Sequence, residues 1–81
     1  MPSVDDLLAE MRSNPHNVKF RDAVKVAEAY FGPPRIRGSH RFFSMPWRGD
    51  PLVNLQRTGN LAKPYQVRQL IAAIDRLKEE E

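Results

Sequence analysis

At Gly32-Pro33-Pro34 the hydrophobic period of this sequence changes, and that change most limits the folds open to it. Before it, apolar residues recur every three or four positions, as they do on a helix that buries one face. Val4, Leu7, Leu8 and Met11 form one such stripe. Ser3 is placed to cap that helix, and Asp5 and Asp6 complement its N-terminal dipole. Pro15, within Ser13 to Asn17, ends it, because proline disfavours helical geometry in the residue before it. A second stripe of Phe20, Ala23, Val24, Ala27, Tyr30 and Phe31 predicts a helix over 20–31. Gly-Pro-Pro stops that helix.

After the break the period is two. Arg35-Ile36-Arg37 alternates polar with apolar, and His40 to Met45 reads as a second strand. Gly38-Ser39 between them suits a tight hairpin. Pro46 to Pro51 is a turn by composition, Leu52 to Gln56 a third strand, and Arg57 to Asn60 a loop. The helical period then returns. Pro64 suits a first helical position, and Val67, Leu70, Ile71, Ile74 and Leu77 line one face behind it. The expected fold class is α+β, in the order α-α-β-β-β-α. A three-stranded antiparallel sheet is covered by helices on one face and left open on the other. The whole of 1–81 reads as a single domain, with its first helix at about 4–14.

An 81-residue chain buries only roughly 60–65% of its unfolded surface, so each core contact matters. It has no cysteine, which removes disulfides, thiol catalysis and thiolate metal sites and fits a reducing cytoplasm. No apolar run approaches the roughly 20 residues of a membrane span. The acidic, amphipathic start is unlike a signal peptide. A cytoplasmic location with no membrane partner is expected.

Charge is unevenly placed. Residues 35–68 hold seven basic side chains (Arg35, Arg37, Arg41, Arg48, Arg57, Lys63, Arg68) against one acid, Asp50, whereas both flanking segments are net acidic. A basic middle of this kind suits a polyanion. A solvated positive face without a ligand explains it equally well.

Within that segment lies Arg35-Ile36-Arg37-Gly38-Ser39-His40-Arg41-Phe42-Phe43. Histidine is the side chain best suited to move protons near neutral pH. Metal-independent RNA cleavage needs a base for the 2′-hydroxyl proton and donors for the phosphate. His40 is the candidate base. Arg37, Arg41 and the backbone amides of Gly38 and Ser39 are candidate phosphate ligands, and Arg57 and Lys63 extend that RNA-binding set. Strand alternation puts His40, Phe42 and Ser44 on one face and Arg41, Phe43 and Met45 on the other. If Val53 and Leu55 face the helices, Asn54 turns outward with His40. Phe43 is then core and Phe42 an exposed base-stacking candidate. A bulge at Gly38 would reverse that parity. By spacing alone His40 reads as well as a structural strand residue.

Other positions carry less. His16 reads as a solvated loop residue, and the two histidines and scattered acids form no metal-ligand spacing, so no metal or other cofactor is expected. Gly59-Asn60 could offer amides to a phosphate or simply lead into the last helix.

Arg37-Gly38-Ser39-His40-Arg41-Phe42-Phe43 and Asn54 to Leu70 (NLQRTGNLAKPYQVRQL) together resemble the HicA toxins of HicA–HicB toxin–antitoxin pairs. The resemblance spans about Val18 to Leu77, and the helix at about 4–14 is additional to it. It implies a fold similar to a double-stranded-RNA-binding domain and an endoribonuclease that cleaves mRNA. It implies His40, in the Gly-Ser-His motif, as the catalytic residue. It also implies a HicB-like antitoxin as protein partner. Two other functions compete with this one. The first is a non-catalytic RNA-binding module, and the second is an interaction protein for an acidic, antitoxin-like partner.

Overall fold

A computed structural model describes residues 2–47 and 53–79. The expected Arg48–Pro51 part of the turn and the Leu52 start of the third strand lie outside the described residues, as do Glu80 and Glu81. The elements are α1 (Val4–Ser13), a 3₁₀ turn (Pro15–Asn17), α2 (Phe20–Phe31), β1 (Arg35–Arg37), β2 (His40–Phe43), β3 (Val53–Thr58), β4 (Leu61–Ala62) and α3 (Pro64–Glu79).

The α+β class holds, with helices over one face of an antiparallel sheet. Among the described residues the sheet has four strands in the order β1-β2-β3-β4, one more than expected. Arg57 and Thr58, expected in a loop, continue β3 and pair with β4 as Arg57↔Ala62 and Thr58↔Leu61. The turn between them is Gly59-Asn60. Its Gly59 has φ 61°, and Gly38 in the β1–β2 hairpin has φ 58°, whereas no non-glycine residue among the described residues has positive φ. A positive φ at only the first of two central residues is the mark of a type II′ hairpin turn, whose twist suits antiparallel strands. Because β2 and β3 run antiparallel, both glycine turns lie at the same end of the sheet.

Helix α1 starts with a reciprocal capping box. The Ser3 hydroxyl accepts from the Asp6 amide at 3.1 Å, and the Asp6 carboxylate accepts from the Ser3 amide at 3.1 Å. Leu7, Leu8 and Met11 are buried, so this first helix belongs to the common core rather than lying outside it. Helix α2 packs between α1 and the sheet. It therefore buries a wider stripe than one face supplies: Phe20, Ala23, Val26 and Ala27 are buried, and Val24, Tyr30 and Phe31 are half-buried beside them. Val26 was not part of the expected stripe. Helix α3 buries Val67, Leu70 and Ile74, and Ile71 sits at the margin.

From the sheet, Phe43, Val53, Leu55 and Ala62 complete the core. Phe43 and Leu55 are wholly buried, and each side chain of that size contributes about 1.5–3 kcal/mol of burial. The row Ile36–Arg41–Leu55 shows how far the helices reach. Leu55 is buried and Arg41 half-buried, but Ile36 on the edge strand is 62% exposed.

Candidate nucleic-acid interface

The hairpin register sets the parity of the open face. Arg37 pairs with His40 and His40 with Gln56, while Arg35 pairs with Phe42 and Phe42 with Asn54. No bulge intervenes at Gly38. Residues directly opposite across a ladder share a face. The open face therefore carries Arg35 and Arg37 from β1, His40 and Phe42 from β2, and Asn54 and Gln56 from β3. Phe43, Val53 and Leu55 turn to the helices.

His40 is half-buried and held on two sides. Its Nδ1 lies 3.2 Å from Asn54 Oδ1. The Phe42 ring stacks on the imidazole, with centroids 5.6 Å apart and planes 9° from parallel. A carboxamide oxygen only accepts, so Nδ1 carries the proton in this bond. That tautomer leaves a lone pair on Nε2, which has no hydrogen-bond partner among the described residues. The arrangement can accept a proton at Nε2 while Nδ1–H stays anchored. Phe42 is half-buried, with one side of its ring spent on His40, so a base has at most the other side for stacking.

The expected phosphate ligands divide between two faces. Arg37 stands directly opposite His40 on the open face. Gly38 and Ser39 form the exposed turn beside it. Arg41 is on the helix side, where its Nη1 donates to the carbonyls of Gly38 at 3.2 Å and His40 at 3.3 Å. Arg57 shares that side. Both guanidinium groups lie over the Phe20 ring, at 5.6 and 5.7 Å from its centroid. Lys63 follows β4, and its amide donates to the Gln56 carbonyl at 3.4 Å, one strand beyond His40. Its carbonyl accepts the first α3 bonds, from the amides of Gln66 and Val67.

Two polar residues escaped the sequence reading. Asn54 was expected only as an outward residue, and the structure makes it the partner of His40. Gln66 is 2% exposed, and its Oε1 accepts from the Gln56 amide at 2.7 Å. The β3–β4 ladder ends at Arg57↔Ala62, and the Gln66 side chain takes the place of a strand at the next residue. A lone glutamine among the apolar positions of a helix is the signal that points to such a role.

Elsewhere, the Gly59-Asn60 turn is occupied by its own fold. Its carbonyls accept from Arg57 Nε at 3.0 Å and from the Phe20 amide at 2.8 Å. His16 is exposed and accepts from Arg68 Nη2 at 3.1 Å. Far from the site, Arg12 and Asp75 join α1 to α3 in a two-bond ion pair. The hydrogen bond from Arg12 holds the Asp75 carboxyl below its ordinary range, and the same bond raises Arg12. Among the described residues no group of three or more His, Cys, Asp or Glu is placed to hold a metal, and no helix is long and apolar enough to cross a membrane. No protein-family model, curated protein or solved structure matches the chain.

Proposed function

We propose that the protein is a metal-independent endoribonuclease that cleaves mRNA, with His40 as general base. In this reading it is the toxin of a HicA-type pair acting in the cytoplasm and held by a HicB-like antitoxin. The observation that carries the reading is the His40 imidazole itself. It stands on an open, basic sheet face, with Nδ1 tied to Asn54 and Nε2 without a hydrogen-bond partner among the described residues. A general base needs this division of its two nitrogens.

Nε2 takes the proton of a ribose 2′-hydroxyl, and the 2′-oxygen bonds to the adjacent phosphorus. The bond from phosphorus to the 5′-oxygen breaks, and that oxygen takes a proton from water, whose hydroxide is neutralised by the proton held on Nε2. The products are a 2′,3′-cyclic phosphate and a 5′-hydroxyl. In this reading Arg37, the cross-strand partner of His40, meets the charge that gathers on the phosphoryl oxygens.

The test is cleavage of a long RNA by matched, folded preparations of the parent and His40→Ala, both with EDTA present. The parent is expected to cut, and His40→Ala to lose ~10²–10⁴ in rate while still binding RNA. Equal rates would remove His40 as the base. The Phe42 ring stacked on His40 favours the second reading, a non-catalytic RNA-binding surface. RNA that is bound but never cut by the parent would establish that reading instead.

A further inference from the structure

We propose that Arg41 and Arg57 form a second RNA-phosphate site, on the helix side of the sheet, around the Gly38-Ser39 turn from His40. The inference rests on RNA being the ligand. It adds that the molecule contacts RNA on both faces of the sheet end.

Both guanidinium groups converge on one aromatic ring, Phe20, at 5.6 and 5.7 Å. Each is braced by oxygens of its nearest turn. Arg41 donates to the Gly38 and His40 carbonyls. Arg57 donates to the Gly59 carbonyl at 3.0 Å and to Asn60 Oδ1 at 3.5 Å. Phe20 is itself buried, and its backbone amide donates to the Asn60 carbonyl at 2.8 Å, which ties α2 to the same turn. Neither arginine forms an ion pair with a carboxylate among the described residues. A guanidinium has five N–H donors in a planar fork, so each keeps donors beyond the bonds it makes here.

One cation over a phenylalanine is a common stabilising contact. A second one brings like charge to the same ring, and their repulsion is relieved when an anion sits between or above them. The surroundings add more positive charge. A cavity of about 360 Å³ beside Phe20 and Arg57 is also lined by Lys19, Arg21 and Asn60. Of the nearby acids, Asp22 is 4.0 Å from Arg21, and Glu28 borders the adjoining cavity with Lys25 and Arg41. Arginine forks fit phosphate oxygens in pairs, which favours phosphate as the occupant.

RNA is favoured over an acidic protein by the position of this site. His40 and Arg41 are consecutive in β2, so their side chains leave opposite faces of the same strand end. A ligand that uses both must bend round the Gly38-Ser39 turn. A single-stranded polyphosphate chain bends in this way, whereas a folded acidic surface meets one face at a time.

The experiment measures binding of a non-cleavable 2′-O-methyl RNA to the full chain by fluorescence anisotropy across a salt series. Arg41→Gln/Arg57→Gln should flatten the slope of log K against log salt by about 0.7 for each lost phosphate contact, or about 1.4 in all. Arg41→Lys/Arg57→Lys should keep most of the slope. An unchanged slope in the glutamine variant, with the parent binding RNA, overturns this site and leaves the ribonuclease reading standing. A parent that binds no RNA overturns both. Equal affinity for polyglutamate, lost in the same variant, would give the site to a protein partner and overturn it. Should the variants fold poorly, the parent decides alone. Its Arg41 and Arg57 Nε–H resonances should shift on adding the RNA, and no shift overturns the proposal.

Discussion

His40 Nδ1 and Asn54 Oδ1 are 3.2 Å apart on the open face of the sheet, joined across two strands that are paired but not in direct register. Asn54 pairs with Phe42, so it reaches His40 diagonally while Phe42 covers the imidazole from its own strand. The ring is thereby fixed in both rotation and tautomer.

Asn54→Ala should release that ring. The ¹⁵N shifts of His40 are expected to report Nδ1–H in the parent and a mixture of tautomers in the variant. If His40 is the base, kcat should fall about 10²-fold with little change in KM, since loss of orientation alone can cost that much. Asn54→Asp keeps an acceptor for Nδ1–H and should retain the tautomer. An unchanged tautomer in Asn54→Ala would show that Asn54 does not orient the ring.

The last helix offers a contrast between two isoleucines. Ile74 is fully buried against the core, and Ile71 lies at its margin. Ile74→Ala should cost ~2–5 kcal/mol. Ile71→Ala should cost about 1 kcal/mol. In a domain of this size 1 kcal/mol moves Tm by roughly 4–8 °C, so thermal melts separate the two variants easily. Similar melting temperatures would mean that the buried stripe of α3 is turned from where the structure puts it.

Much of this fold was legible from period alone. The bounds of α2 follow from its stripe and from Gly-Pro-Pro, and the side taken by Phe43 follows from alternation. Strand β4 was not legible, because two residues cannot show an alternation. Gly59-Asn60 was nevertheless a usable signal, since Gly-Asn is a two-residue hairpin dipeptide. The site was less legible than the fold. His40 is conspicuous beside Gly38-Ser39, but its meeting with Asn54 depends on the register of β2 and β3, which no local pattern specifies. The same register brings Arg57 to Arg41. Arg41 pairs with Leu55, and Arg57 lies two residues further along the same face.

The ion pair of Arg12 with Asp75 gives stability a small pH dependence. Asp75 titrates below its ordinary value when folded, because Arg12 bonds to its charged form. Its contribution is therefore present above the unfolded carboxyl value and lost as the pH falls through the folded one. Both side chains are substantially exposed, at 41% and 47%, so solvent screening keeps the pair below ~1 kcal/mol. Asp75→Asn should be slightly less stable than the parent at neutral pH. Urea melts at about pH 7 and through a descending acid series should show that difference narrowing as the pH falls below the ordinary carboxyl value and on through the lower folded one. A gap that persists in acid would assign the loss to packing rather than charge.

Gln66 links the core to the site. Its buried carboxamide satisfies the Gln56 amide at 2.7 Å, and Gln56 stands opposite His40 across the β2–β3 ladder. Gln66→Leu keeps the volume nearly constant but leaves that amide without its acceptor. An unsatisfied buried donor costs about 1–3 kcal/mol, so the variant should fold with reduced stability. The stronger readout is local. Hydrogen exchange at the Gln56 amide should accelerate well beyond that at Leu55, whose wholly buried side chain keeps its packing. Because Gln56 is the cross-strand partner of His40, its loosening should also lower RNA cleavage if His40 is the base, with His40→Ala showing no further dependence on Gln66. Unchanged exchange at Gln56 would mean that water replaces the glutamine without cost, and Gln66 would then be a packing residue alone.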